Sequence, residues 1–114
     1  MKNQANVVIH WKGLESEEEV HDHLAERCLH IAAEFPETSH YELSIEPSGR
    51  DIGCHGHVNG KHTRIAAHTQ GRGNARQAAD SVLEKLEREL RREHDKRIFG
   101  RRRKAQRERL KGTQ

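Results

Sequence analysis

The chain has 114 residues, with 21 Lys and Arg against 18 Asp and Glu, ten His and two Cys. This length is enough for one ordinary domain and its core. Leu, Ile, Val and Phe make up only 21 residues, but the net charge of +3 is too small to drive disorder. Two cysteines exclude a disulfide scaffold, and the sequence has neither a membrane-length apolar run nor a signal-peptide core. We therefore predict a cytoplasmic protein that does not contact membranes.

The charge is unevenly distributed along the chain. Residues 1–95 carry 12 basic and 17 acidic side chains, whereas residues 96–114 carry nine basic side chains and one acidic one. Clustered Arg and Lys release counterions from a phosphate backbone, which favours a polyanionic partner over a merely solvated tail. We predict a folded domain over 1–95 and a basic C-terminal extension over 96–114. The residues of this extension expected to contact RNA are Arg101, Arg102, Arg103 and Lys104.

A strand and a helix are predicted first. The segment from Val7 to Trp11 is short, β-branched and aromatic, which is typical of a strand. Ser16 and Glu19 match a capping box, in which each side chain satisfies a free backbone N–H of the first turn. Apolar residues then recur at helical spacing until Pro36, so helix one is predicted over 16–34.

In the next segment, apolar and polar residues alternate with the two-residue period of a strand. From His40 to Glu46, apolar residues occupy every second position before Pro47, which predicts a strand with one buried face. The segments 53–58 and 61–69 flank Asn59-Gly60, a pair that favours the two-residue type I′ turn of a hairpin. We therefore predict two more strands joined at this turn.

The predicted turn fixes the register of the hairpin. It pairs His57 with His62 and His55 with Arg64, so three imidazoles and one guanidinium share one face. The opposite face is apolar and should receive a helix. Its residues are Cys54, Val58, Ile65 and Ala67.

A second helix is predicted over roughly 74–95, because Ala and Leu residues from Ala75 to Leu90 recur at helical spacing. The element order is β-α-β-β-β-α. Two amphipathic helices and a half-polar sheet predict an α+β fold: a two-layer sandwich with a four-stranded mixed sheet and both helices on one face. The strand-helix-strand start favours a right-handed crossover that makes the first two strands parallel.

The hairpin also contains residue types found in zinc sites, namely Cys54, His55, His57, His62 and His68. Strand alternation places the cysteine on the opposite face from His55 and His57. We also expect no acidic residue nearby to orient the imidazoles. We therefore predict no metal and no cofactor, and retain a metal-binding hairpin as an alternative function.

No group of residues indicates catalysis. Cys28 lies on the apolar side of helix one, which favours a buried thiol over a nucleophile. Gly71-Arg72-Gly73 lacks the rest of a phosphate-binding loop, and no acid, base and oxyanion donor are expected around one pocket. The chain is predicted not to be an enzyme and to have no small-molecule substrate.

Helix two carries a basic stripe beside its apolar one. Lys85, Arg88 and Arg92 are spaced i, i+3 and i+7, with Arg91 next to them. Pairing with glutamates of the same helix is one explanation of these charges. Continuity with the basic extension favours a positive track for phosphates. Because aromatic residues for base stacking are scarce, we expect structured RNA to be recognised through phosphates and shape.

Three segments of the chain are distinctive. They are Ile9-His10-Trp11-Lys12, His57-Val58-Asn59-Gly60 and Ala79-Asp80-Ser81-Val82-Leu83-Glu84-Lys85-Leu86-Glu87-Arg88-Glu89-Leu90. Together they resemble the ribosome hibernation-promoting factor family, which includes short hibernation factors and ribosome-associated translation inhibitors. The resemblance covers about residues 5–95 and agrees with the predicted β-α-β-β-β-α order.

Members of this family bind the small ribosomal subunit in the channel between head and body, where mRNA and the A- and P-site tRNAs lie. The resemblance therefore implies a protein that binds the 30S subunit and 16S rRNA and keeps ribosomes inactive under stress. We expect a monomer. A general binder of structured RNA with the same fold remains an alternative. The residues of the domain expected to contact RNA are Lys12, His55, His57, His62, Arg64, Lys85, Arg88, Arg91 and Arg92.

Overall fold

The structure, a computed structural model, describes the backbone of residues 5–112 and the side chains at 5–69, 73–98 and 100. It contains six elements in the predicted order β-α-β-β-β-α. They are β1 (Asn6–Trp11), α1 (Glu18–Glu34), β2 (Thr38–Ser48), β3 (Asp51–Gly60), β4 (Thr63–Arg72) and α2 (Ala75–Gly112).

The four strands form one mixed sheet in the order β1-β2-β3-β4. β1 runs parallel to β2, as the strand-helix-strand start predicts, and the other neighbours are antiparallel. On one face of the sheet, α1 packs against β1 and β2, and α2 packs mainly against β3 and β4. The prediction of a two-layer α+β sandwich with both helices on one face is confirmed.

The core lies between this sheet face and the helices, and its close packing requires a glycine at one position. A Cβ on Gly56 of β3 would lie 2.7 Å from atoms of both Leu43 and Val82. Glycine there lets α2 approach the sheet closely. The largest fully buried side chains of this core include Leu24, Tyr41, Leu43, Ile45, Leu83, Leu86 and Leu90.

The turn between β3 and β4 lies two residues later than predicted. Gly60 pairs with Thr63, so the two central residues are Lys61 and His62. His62 has a φ of 60°, in the left-handed region. The predicted turn at Asn59-Gly60 is therefore wrong.

Glycine is required at position 60 by strand packing and not by a turn. Gly60 pairs with Thr38 at the start of β2, where the two backbones come very close. A Cβ on Gly60 would lie 2.2 Å from the carbonyl oxygen of Glu37. The next residue, Lys61, donates its backbone N–H to the same oxygen at 2.9 Å. The close approach between the strands therefore requires a residue without a Cβ, whereas the sequence pattern had assigned this glycine to a turn.

The changed turn replaces both predicted histidine pairs. His55 lies opposite His68, and His57 lies opposite Ala66. The displacement is an even number of residues, so each strand residue keeps its predicted face. His62 alone leaves the polar face, because it lies in the turn.

α1 begins later than predicted and ends where predicted. Its N-cap is Glu17, which makes no side-chain cap hydrogen bond, and the first helical residue is Glu18. The predicted capping box at Ser16 is therefore wrong. The two acidic residues of the first turn still favour the positive end of the helix dipole. The helix ends at Glu34, two residues before Pro36.

α2 is much longer than the predicted second helix. Asn74 caps its start, because its Oδ1 accepts a hydrogen bond from the backbone N–H of Gln77 at 2.8 Å. The helix then runs without interruption to Gly112, which corresponds to about 57 Å. The change in composition at residue 95 falls inside it. Among the described residues, no helix is both long and apolar enough to cross a membrane.

Candidate nucleic-acid interface

The cations of α2 point in more than one direction. Arg91 faces α1, where it donates to Glu34 and lies 5.8 Å from the centre of the Phe35 ring. Lys85 faces the sheet edge, where its Nζ donates to the backbone oxygen of His68 in β4 at 2.9 Å. Arg88 is exposed. The predicted stripe and the neighbouring Arg91 therefore divide between the α1 side, the β4 side and the outer surface of the helix.

Two of these cations pair with glutamates of the same helix, as the alternative explanation of the basic residues predicts. Arg91 lies 3.4 Å from Glu87, and Arg92 lies 3.1 Å from Glu89. The side chain of Arg92 is nevertheless 58 % exposed, and exposed ion pairs of this kind contribute little to stability. Arg88 makes no ion pair or hydrogen bond with any side chain that the structure describes. Arg88 and Arg92 thus present their charge to solvent.

Arg97 has a role that the sequence did not indicate. Its guanidinium donates to Thr63 Oγ1 at 2.8 Å and to the backbone oxygen of His62 at 3.2 Å. It also lies within 4 Å of Glu37 and Glu93. These contacts hold α2 against the β3–β4 turn beyond the end of the predicted helix. No local pattern reveals them, because the partners lie 34 and 35 residues away in sequence.

The cations predicted in the extension lie on the last part of α2. Its backbone is helical to Gly112. The side chains of Arg101, Arg102, Arg103 and Lys104 are outside the described residues.

The remaining predicted contacts do not form one patch with the cations of α2. Lys12 is exposed just after β1, at the opposite edge of the sheet from β4. His55, His57 and Arg64 lie on the open face, away from both helices. The edge strand β4 connects the two surfaces, since it carries Arg64 on the open face and accepts the Lys85 hydrogen bond along its backbone.

The open face holds a carboxylate that the sequence analysis missed. Glu42 of β2 lies directly opposite His57. It accepts hydrogen bonds from His40 Nε2 at 3.0 Å and His10 Nε2 at 2.9 Å, and His57 Nε2 lies 3.5 Å away. The expectation that no acidic residue lies near the hairpin imidazoles is therefore wrong. Strand alternation places His40 and Glu42 on this face, but only the β2–β3 register shows which imidazole meets the carboxylate.

The hydrogen bonds from His40 and His10 hold the pKa of Glu42 below its ordinary value, with a smaller contribution from the charge of His57. Glu42 is therefore ionised near neutral pH. A carboxylate at this position repels phosphate, so the centre of the open face is a poorer phosphate surface than the outer side of α2.

Both cysteines are buried in the core between the helices and the sheet. Cys28 and Cys54 have no measurable exposure. Burial raises the pKa of each thiol to about 12, which keeps both protonated and unreactive at neutral pH. The prediction that Cys28 is a buried thiol is confirmed. Cys54 lies on the helix side of β3, as predicted, and cannot join the imidazoles.

Comparison with known proteins agrees with this architecture. The profile of a family described as Sigma 54 modulation protein / S30EA ribosomal protein matches residues 7–98. No curated protein matches the sequence.

Two solved structures share the fold. A ribosomal subunit interface protein from Coxiella burnetii superposes with a TM-score of 0.71 at 13% identity, over 79% of this chain and 98% of that chain. The N-terminal domain of Thermus thermophilus Protein Y gives a TM-score of 0.65 at 13% identity, over 78% of this chain and 97% of that one. The family match, which extends from β1 into α2, confirms the resemblance seen in the sequence, and the two structures show the same fold. The chain belongs to the Sigma 54 modulation protein / S30EA ribosomal protein family, a family of ribosome-associated proteins.

Proposed function

We propose that this protein binds the small ribosomal subunit in the cytoplasm through phosphates of 16S rRNA, blocks the channel for mRNA and tRNA, and holds ribosomes inactive under stress. Family membership supports association with the ribosome. The Coxiella burnetii neighbour is itself named a ribosomal subunit interface protein. The family is not a class of enzymes, and the proposed action is steric and electrostatic.

The length and charge of α2 carry this proposal. A single helix runs from Ala75 to Gly112. It presents Arg88 and Arg92 on its outer surface, and the sequence beyond residue 95 holds nine basic residues against one acidic residue. A rod of about 57 Å with cations along its length can follow phosphates over many nucleotides. Such contacts supply affinity and fix orientation without reading base sequence.

The individual cations differ in how freely they can reach a phosphate. Arg88 is exposed, and Arg92 can leave its exposed pair with Glu89 at little energetic cost. We assign these two the main contacts within the domain. Arg91 is held against α1 by Glu34 and therefore serves stability first. The supporting contacts are Lys12, Arg64, Lys85, Arg101, Arg102, Arg103 and Lys104.

The first experiment is sedimentation of the purified protein with 30S subunits and 70S ribosomes over a range of salt. With about eight phosphate contacts, affinity should fall steeply as salt rises. The double variant Arg88→Glu/Arg92→Glu should dissociate at a salt concentration at which the unchanged protein remains bound. Loss of two contacts should lower the slope of log affinity against log salt by about two.

The matched control is Arg50→Glu/Lys61→Glu, which makes the same change in net charge at the β2–β3 and β3–β4 turns. It should bind nearly as well as the unchanged protein, and both double variants should keep almost the same Tm. Binding that persists unchanged to near-molar salt would contradict the electrostatic mechanism. Unfolding of Arg88→Glu/Arg92→Glu would show instead that these arginines act by stabilising the helix.

Channel blocking has its own test. Bound protein should reduce the binding of mRNA and of tRNA to 30S subunits in proportion to its occupancy. If mRNA and tRNA bind normally to saturated subunits, the protein lies elsewhere on the subunit. A preference for naked duplex RNA over intact subunits would favour a general RNA-binding function.

A further inference from the structure

The centre of the open sheet face is a compact group of metal-ligand side chains. Three adjacent strands contribute to it: His10 comes from β1, His40 and Glu42 from β2, and His57 from β3. The pairing of Glu42 with His57 across β2 and β3 sets the carboxylate beside an imidazole. The alternation of β2 sets His40 two residues away on the same face. The backbone register therefore fixes the group, with no loop involved.

The distances from the two imidazoles to the carboxylate are close to those between ligands of one ion. His40 Nε2 lies 3.0 Å from Glu42 Oε1, and His57 Nε2 lies 3.5 Å from the same oxygen. All three ligand atoms lie within 4.8 Å of one another. Ligands at about 2.0–2.1 Å from a tetrahedral ion are separated by about 3.3 Å. The three atoms are therefore close enough together to be ligands of a single ion.

We propose that His40, Glu42 and His57 bind a divalent transition-metal ion, and that Zn²⁺ is the ion that fits best. Two imidazoles and one carboxylate are ligands that zinc accepts, whereas Mg²⁺ and Ca²⁺ require sites made of oxygen. Three protein ligands leave the fourth tetrahedral position to water. The ligand side chains are between 28% and 42% exposed, so an ion can enter from solvent.

Neighbouring groups can hold the ligands in orientation. His10 Nε2 donates to Oε2, the carboxylate oxygen of Glu42 that faces away from the other two imidazoles, at 2.9 Å. The side-chain amide of Asn6 lies 3.1 Å from His40 Nδ1. With Nε2 of His40 bound to the ion, its Nδ1 carries the proton, and the amide of Asn6 can turn to accept it through Oδ1. Such partners commonly fix the tautomer of a ligand histidine.

The site differs from the zinc site that the hairpin sequence brings to mind. Cys54 takes no part, because it is buried on the other side of the sheet. His62 lies in the β3–β4 turn. Two of the three ligands, His40 and Glu42, come from the strand before the hairpin. The proposal concerns the protein alone and does not depend on ribosome binding.

The test is titration of the full chain with ZnCl₂ at pH 7.5, using protein made without a polyhistidine tag and stripped with EDTA. Calorimetry should give one ion per chain, and binding should raise the Tm. Glu42→Gln and His57→Gln should each weaken Zn²⁺ affinity at least tenfold. The matched control His21→Gln removes an exposed imidazole from α1, on the other side of the sheet, and should change the affinity less than twofold.

A second readout reports on the ligand atoms themselves. Imidazole ¹⁵N shifts measured by NMR should show Zn²⁺ on Nε2 of His40 and His57, with His10 still protonated on Nε2. Circular dichroism checks that each variant is folded, which is expected because all three ligands lie on an open face. Equal affinity in all variants, or equal weakening by His21→Gln, would show dispersed surface binding and overturn the proposal. A lack of Zn²⁺ binding by the unchanged protein would also overturn it.

Discussion

The two faces of the sheet are made from alternate residues of the same strands, yet their chemistry is opposite. In β2, Leu43 and Ile45 face the helices and are at most 1% exposed. Between and beside them, Glu42 and Ser44 face solvent together with His57 of β3. Packing constrains the covered face, because α1 and α2 lie against it. The open face has no such constraint, so its polar residues are free to serve binding.

The same contrast divides the cations of α2. Arg91 contacts α1 and Arg97 contacts the β3–β4 turn, whereas Arg88 and Arg92 present their charge to solvent. A basic residue on this helix is therefore not by itself an RNA contact, and its contacts to the rest of the fold decide which role it has. Substitutions at positions that contact the rest of the fold should therefore affect stability, whereas those at solvent-facing positions should affect binding.

The largest expected effect comes from truncating the covered face. Leu86→Ala should lower the free energy of unfolding by about 2–5 kcal/mol, because Leu86 is fully buried and its loss leaves a cavity. His57→Ala on the open face should change it by about 0.5 kcal/mol or less. Urea unfolding of both variants measures the difference. Similar losses in the two variants would mean that the open face is packed as well, contrary to the fold.

A smaller effect tests the position of the β3–β4 turn. Gly60→Ala should destabilise the protein by about 1–3 kcal/mol, since its Cβ would meet the carbonyl oxygen of Glu37. His62→Gly should be neutral or stabilise by up to about 1 kcal/mol, because glycine adopts a φ of 60° without strain. Thermal unfolding of the two variants distinguishes the registers. A turn at Asn59-Gly60 would leave His62 in a strand and reverse the sign for His62→Gly.

Arg91 and Arg88 provide the next comparison. Arg91→Ala should lower the Tm slightly, because it removes an exposed ion pair with Glu34 and the contact with Phe35. Ribosome binding should change little. Arg88→Ala should do the reverse, weakening ribosome binding while leaving the Tm unchanged. Equal effects of the two variants on ribosome binding would show that the α1 side of α2 also contacts RNA.

Periodicity was sufficient to predict the elements and the layers of the fold. Alternation in β2 and the helical spacing of Leu83, Leu86 and Leu90 each report which side of an element meets the core, and this is a local property of the chain. The order of elements then leaves few ways to cover a half-polar sheet. Even the wrong turn preserved the faces of β3 and β4, because the error was an even number of residues.

The features that the sequence did not reveal depend on contacts between distant residues. Gly60 has the pattern of a turn residue, and only the approach of Thr38 shows why glycine is needed. Glu42 and His57 look unrelated until the β2–β3 register pairs them. The extension of α2 past residue 95 is supported by Arg97, whose partners are in the β3–β4 turn. Each case requires a register or a tertiary contact that no single segment encodes.

The smallest expected effect concerns the pH dependence of the open face. The pKa of Glu42 is lowered in the folded protein by hydrogen bonds from His40 and His10. The folded state therefore takes up this proton less readily than the unfolded chain, for which the ordinary value is 4.5. The resulting stability is present at neutral pH and is lost as the pH falls below that value towards the folded pKa. The Glu42→Gln variant has no ionisable carboxylate at this position and lacks this stabilisation. The difference in Tm between the unchanged protein and this variant should therefore shrink from pH 6 to pH 3.

Glu26→Gln, which removes an exposed carboxylate of α1 far from these imidazoles, is the matched control. A Tm difference for Glu42→Gln that stays constant over this range would show that the imidazoles do not hold the carboxylate in its ionised form.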